Sequence, residues 1–252
     1  MIGPISMTRG DTVWQESKVA EAFLEGVRGG LPLAALQIEL IVRLARQALP
    51  KVQRVLDLGC GDGVLGRAVL ASYPQASCVF LDFSEPMLAA ARTKAADLGA
   101  RATFVRDDFG LKGWVESVRP FAPFDLVVSG YAIHHQPDER KREVYREIHG
   151  LLAPGGLFLN LEHVSSASAW AGRAFDELCI DGLYAYHRER GGEDSRETVA
   201  HRFYHRPDKA ANILAPADEQ CRWLREIGYL DADCFFRLFE FALFGGRKPP
   251  LD

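Results

Sequence analysis

Along the first fifty residues the apolar positions recur every three to four residues. Val19, Phe23 and Val27 fall four apart, so an amphipathic helix is expected over 13–28, ended by Gly29-Gly30. Pro32 suits a first helical turn, and a second helix is expected over 33–49, closed by Pro50. Past residue 51 the pattern changes to short apolar runs alternating with helical periods. Strands are expected over 52–58, 77–81, 102–105, 124–129 and 157–161. Helices are expected over 64–72, from Ser84 with Pro86 in the first turn, over 111–118 and over 138–152. Such alternation implies a mostly parallel sheet covered on both faces.

Residues 165–215 break this rhythm. They read as helical, rich in Arg, His and Tyr, and are expected to form an insertion over the ligand edge of the sheet. A helix over 216–228 follows. Two nearly contiguous runs, 233–239 and 241–245, should then pair antiparallel at the sheet edge. The expected architecture is an N-terminal helical lid over 1–50 and an α/β domain over 51–252 that carries the insertion.

The chain has 252 residues, of which 48% are hydrophobic and 25% charged, enough for one large α/β domain. A formal net charge of -4 argues against a protein that coats nucleic acid. Cys60, Cys78, Cys179, Cys221 and Cys234 show no C-x-x-C spacing, which disfavours a disulfide scaffold and a structural zinc site. No secretory signal opens the chain, and no run approaches the roughly 18 apolar residues of a membrane span. A cytoplasmic protein with reduced thiols is expected, away from membranes.

The strongest local signal is VLDLGCGDG (55–63), between an expected strand and an expected helix. Ligands of open α/β sheets bind at the carboxyl ends of strands, near the switch in strand order. Glycines there let backbone approach a ligand closely. Gly61, Gly63 and Gly66 also satisfy the dinucleotide pattern G-x-G-x-x-G, and Asp82 follows at the distance of a ribose-binding acid. The acid-bearing strand end at Asp57, the acidic pair Asp107-Asp108 and the antiparallel edge pair favour S-adenosylmethionine over a dinucleotide.

Together with FLDFSEPML (80–88), FVRDDF (104–109), FDLVVSGYAIHH (124–135) and LLAPGGLFL (151–159), this motif resembles the class I S-adenosylmethionine-dependent methyltransferases. The likeness covers about residues 50–162 and 216–248. It implies a doubly wound, Rossmann-like, seven-stranded sheet, mostly parallel with an antiparallel last strand. It also implies the cofactor contacts: Gly59, Gly61 and Gly63 form the loop, and Asp57 orients it. Asp82 takes the ribose hydroxyls, while Phe83 and Met87 line the adenine. Asp108 accepts from the adenine amino group beside Phe109, with Asp107 as the alternative. Ser129 and Gly130 lie near the methionine amino group.

Methyl transfer displaces an already activated carbon, so positioning and desolvation carry much of the rate. A base is needed only where the acceptor must lose a proton. His134, His135 and Glu162, at the ends of the fourth and fifth strands, are the candidate catalytic groups. Tyr131, His163, Arg202 and Arg206 are candidate substrate contacts. His201 and His205 stand four apart without a third ligand, so no metal is expected. Trp14 is placed in the lid. The expected partner is a small-molecule methyl acceptor, not nucleic acid or a membrane, and a homodimer is compatible with the sequence.

Two other functions fit the same motifs. The tail CRWLREIGYLDADCFFRLFEFALFGGRK (221–248) resembles carboxy-S-adenosylmethionine synthases, which modify the cofactor itself. The resemblance implies an arginine in the tail helix for the extra carboxylate, and alignment on Gly228 puts Trp223 there. The other alternative is a regulatory protein that binds the cofactor without catalysis.

Overall fold

In the computed structural model, residues 9–24 and 29–251 are described. A single seven-stranded sheet runs in the order β3-β2-β1-β4-β5-β7-β6. Its strands are β1 (Arg54–Leu58), β2 (Ser77–Asp82), β3 (Ala102–Arg106), β4 (Phe124–Gly130), β5 (Leu152–His163), β6 (Leu230–Leu238) and β7 (Phe241–Arg247). The first five pair parallel, and β7 inserts antiparallel between β5 and β6. The alternating pattern implied the mostly parallel sheet, and the resemblance implied the doubly wound, seven-stranded arrangement seen here.

The central strands are buried on both faces, which is why they read as continuous apolar runs. One face packs α2 (Ala34–Ala48), α3 (Val64–Ser72) and α4 (Glu85–Lys94), through Ile41, Leu70 and Leu88 against Val55, Phe80 and Leu126. The other packs α6 (Asp138–Leu151) and α9 (Ala217–Ile227), through Tyr145, Ile148 and Leu224 against Val127 and Phe158. Each buried large apolar side chain contributes roughly 1.5–3 kcal/mol.

Several boundaries differ from the sequence expectation. The helix expected over 111–118 is only α5 (Val115–Val118), and β6 begins at Leu230, not at 233. The N-terminal helix is not continuous: a 3-10 turn, Gly10–Gln15, gives way at the extended residue Glu16 to α1 (Ser17–Ala22). The end of the expected helix falls at residues 25–28, outside the described residues. Strand β5 begins at Leu152, where α6 runs straight into it, so it is longer than the apolar run at 157–161. Within the insertion, α7 (Ala169–Glu189) and α8 (Arg196–Tyr204) are followed by a 3-10 turn, Pro207–Ala211. These elements lie over the ligand edge on their own small core of Phe175, Ile180, Phe203 and Phe241. Among the described residues no helix is long and apolar enough to cross a membrane.

Candidate active site

The strand order reverses between β1 and β4. Carboxyl ends of parallel strands beside such a reversal leave a crevice. The ends of β1, β2, β4 and β5, with the segment after β3, meet in one cavity of about 490 Å³ that runs on under the N-terminal segment and the insertion.

The β1 end supplies the floor. Gly59, Cys60, Gly61 and Asp62 line the cavity. Gly59 sits at φ +65, and a Cβ there would lie 2.4 Å from the Ala132 side chain, so the loop closes only on glycine. Gly61, at φ +53, faces open space, where a Cβ would meet only the Met87 sulfur at 4.0 Å. Asp57 Oδ2 accepts from Gly66 N at 2.8 Å and fixes the start of α3. Gly63 caps that helix in the left-handed region, packed on Phe80 and off the cavity wall.

Asp82 ends β2. Its two oxygens accept from Gly61 N and Ser84 N, each at 2.8 Å. Burial pushes its carboxyl up to about 6, against the Ser84 and Gly61 N–H groups that pull it down. Phe83, Met87 and Phe109 line the cavity beside it. Of the acidic pair after β3, Asp108 reaches the cavity, whereas Asp107 turns back to accept from Asp108 N at 2.7 Å. Asp108 is bracketed by Arg9, whose Nη1 and Nη2 donate to its oxygens at 2.8 and 3.1 Å. Gly130 lines the cavity; the Ser129 hydroxyl donates to Leu58 O inside the sheet, which leaves only its backbone near the ligand edge.

Beyond this cradle the chamber carries the histidines. His134 Nδ1 lies 2.6 Å from Glu162 Oε1, and Glu162 is buried behind it, off the wall. Glu162 therefore orients His134 and does not face a ligand directly. Burial lowers the His134 imidazole and pushes the Glu162 carboxyl up to about 7, so a charge-separated pair is disfavoured. His135 Nε2 accepts from the Trp14 indole at 3.1 Å, which assigns the ring proton to Nδ1, facing Ala211 O at 3.3 Å. Burial and the neighbouring His134 drop this imidazole to about 3. This holds the ring neutral, with its Nε2 lone pair already engaged by Trp14.

His163 lines the chamber with Nε2 at 2.9 Å from Glu240 Oε2. Tyr131, held at φ +53, also lines it and donates its hydroxyl to Gln37 Oε1 at 2.8 Å. Arg206 lines it too, paired with Asp208 at 3.2 Å. Arg202 does not: it points outward from α8 to Asp194, half exposed. Helix α8 ends at Tyr204, so Arg202 is held on the helix and Arg206 lies beyond its end. Gln37, Phe175, Phe203, Asn212 and Glu240 are wall residues that the sequence did not single out. They come from separate elements, and no motif spacing links them. Among the described residues no cluster of His, Cys, Asp and Glu could hold a metal ion.

Residues 55–156 match a known protein family, described as a methyltransferase domain. The match runs from β1 through β4 and ends within β5. The chain is 29% identical over 240 residues to a carboxy-S-adenosyl-L-methionine synthase from Wolinella succinogenes, covering 92% of each chain. Among solved structures it resembles a putative O-methyltransferase from Nostoc punctiforme (TM-score 0.64, 17% identity, 98% of this chain and 64% of that one). It also resembles human N-acetylserotonin methyltransferase in complex with SAM (TM-score 0.59, 15% identity, 96% of this chain and 61% of that one). The chain thus spans a little under two thirds of the length of these two structures.

S-adenosylmethionine is the cofactor that the methyltransferase-domain match implies, and the cradle suits it. The open side of Gly61 leaves room for backbone contact with a methionine tail. Asp82 offers a fixed carboxylate for ribose, Phe83 and Met87 an apolar slot for a base, and Asp108 a carboxylate beyond it. The tail helix α9 contributes nothing to the cavity wall. Trp223 packs in the core, with its indole N–H on Glu219 and the Arg142 guanidinium over its ring.

Proposed function

We propose that this chain transfers the methyl group of S-adenosylmethionine to a small-molecule acceptor held in the chamber beyond the cofactor cradle. The observation that carries the reading is the continuity of the two: one cavity joins Gly61 and Asp82 to Tyr131, His163, Phe175 and Phe241. The family core supplies the cofactor half, so specificity comes from what is added to it, here α7, α8 and the N-terminal segment. The free thiols suit the cytoplasmic setting expected from the sequence.

The second reading is a carboxy-S-adenosylmethionine synthase, supported by similarity along nearly the whole chain. An added carboxylate on the cofactor would need a cation for itself. Arg9, Arg206 and Lys209 are the cations on the wall among the described residues, and each already faces a carboxylate. Trp223 stands where the synthase resemblance requires arginine, and it lies in the core. These features favour methyl transfer. The test is incubation of the protein with methyl-labelled cofactor and fractionated cell metabolites. Label on a metabolite supports the proposal; a carboxylated cofactor, or no turnover with intact cofactor binding, overturns it.

A further inference from the structure

Three histidines meet the chamber, and their ring nitrogens are not equally available. His135 has its lone pair on Nε2, taken by the Trp14 N–H. His134 has Nδ1 against Glu162 and is turned to Asn212 on its other side. His163 differs. It ends β5 with its side chain 18% exposed to the chamber, against 7% for His134. Its Nε2 faces the Glu240 carboxylate at 2.9 Å, and its Nδ1 has only the long 3.4 Å approach of Asn212 Nδ2.

Glu240 occupies the tight connection between β6 and β7, and its carbonyl accepts from Val164 N at 2.8 Å, which pins that turn to the end of β5. Burial would raise its carboxyl, but hydrogen bonds from His163 and Ser166 outweigh this and hold it below the usual range. It therefore stays a carboxylate, and Nε2 of His163 carries the proton that it accepts. The lone pair left on His163 is at Nδ1, on the chamber side with Asn212. A carboxylate behind an imidazole both orients the ring and stabilises the imidazolium formed when the ring takes a second proton.

The surroundings of this ring limit what it can receive. His163 packs on Phe175 at 5.3 Å, Phe175 meets Phe241 edge-on at 4.8 Å, and Tyr131 meets Phe241 at 5.6 Å. Such a box takes a flat ring by offset or edge contacts. The nearby cations are matched: Arg206 faces Asp208, and Lys209 faces Asp176 at 2.9 Å. Among the described residues of the wall no cation is left unmatched to draw in an anion. A neutral amine has its nucleophilic lone pair ready, whereas a hydroxyl must be deprotonated, which is what an oriented base provides.

We infer that the acceptor is a neutral aromatic hydroxyl compound and that His163, positioned by Glu240, is the base that deprotonates it. This rests on the methyl-transfer reading above. In the step, the acceptor oxygen forms its bond to the methyl carbon as the carbon–sulfur bond breaks, and that electron pair stays on sulfur. The hydroxyl proton passes to Nδ1 of His163, while the Nε2 proton stays on the ring, shared with Glu240.

The experiment uses the full chain, methyl-labelled S-adenosylmethionine and two probe phenols. Pentafluorophenol is ionised at neutral pH and needs no base; 4-methoxyphenol is un-ionised and does. His163→Gln should lower kcat on 4-methoxyphenol by about a hundredfold or more. It should change kcat on pentafluorophenol by less than about threefold, a difference of under ~0.7 kcal/mol. Glu240→Gln should give the same acidity-dependent loss, smaller in size. Calorimetric binding of S-adenosylhomocysteine should match the parent protein in both variants, which verifies the fold. Equal loss on both phenols, no loss on either, or an acidity-dependent loss in His134→Gln in place of His163→Gln would overturn the assignment. Absence of any phenol methylation, with label appearing on another metabolite, would overturn the aromatic hydroxyl acceptor and leave methyl transfer standing. Failure to bind S-adenosylhomocysteine at all would instead count against the methyl-transfer reading.

Discussion

The indole N–H of Trp14 donates to Nε2 of His135 across 3.1 Å, joining residues 121 apart in the chain. The Trp14 carbonyl also accepts from the Ser84 hydroxyl at 2.5 Å. One residue of the N-terminal segment thereby ties the end of β4 to the start of α4. The segment roofs the cavity through a side chain and a backbone carbonyl at the same point.

Trp14→Phe removes the donor and leaves the buried His135 acceptor without a partner. An unsatisfied buried group costs about 1–3 kcal/mol. Denaturant midpoints should fall accordingly. In a double-mutant cycle with His135→Phe, the two changes should couple by about 0.5 kcal/mol or more. Strict additivity would show that the contact is absent in solution.

Asp107 and Asp108 are separable by mutation, because only Asp108 reaches the cavity. A hydrogen bond to a charged group contributes about 1.5–3 kcal/mol. Asp108→Ala should therefore weaken S-adenosylhomocysteine binding by roughly tenfold to a hundredfold. Asp107→Ala should stay within about threefold, under ~0.7 kcal/mol. Calorimetry decides it; the reverse order would place the adenine amino group on Asp107.

The sheet was readable because its physics is local. Buried parallel strands are short apolar runs, and the β1 loop must be glycine where backbone turns left-handed or packs on Ala132. Much of the cofactor cradle was readable for the same reason: it is made of strand ends. The acceptor chamber was less so. His163 and Glu240 are 77 residues apart, and only the pairing of β5 with β7 brings them together. Arg202 and Arg206 were indistinguishable in the sequence, but α8 carries Arg202 outward to Asp194, and only Arg206, past the helix end, reaches the wall. The apolar period over 13–28 reads as one helix, but Glu16 is extended and breaks it, and Trp14 on the near side of the break donates to His135.

Asp82 should make cofactor affinity depend on pH. Burial pushes its carboxyl up to about 6, and the ribose hydroxyls are best accepted by the ionised form. The dissociation constant for S-adenosylhomocysteine should rise as pH falls through about 6, by up to about tenfold per unit. In Asp82→Asn binding should be weaker and this dependence lost. The sign for fold stability is opposite. The native state holds this proton more tightly than the unfolded chain, so the group takes stability away as pH rises from the ordinary carboxylate range to about 6. A flat affinity profile in the parent protein would show that Asp82 is already ionised well below pH 6.

His135 should act on acid stability. Burial and His134 lower its folded value to about 3, well under the 6.5 of a free imidazole. Between these two values the unfolded chain binds a proton that the native state refuses. Stability from this group is complete above about 6.5 and is lost as pH falls towards 3, with a slope of up to about 1.4 kcal/mol per pH unit. Glu162 contributes the opposite slope where the windows overlap, since its folded value is raised to about 7. The two are separated by His135→Gln, whose amide oxygen can still accept from Trp14 but which does not titrate. Urea unfolding of parent and variant at a series of pH values should show the variant losing less stability between about pH 6.5 and pH 4. Parallel curves would mean that the His135 ring is not held neutral by burial under the Trp14 roof.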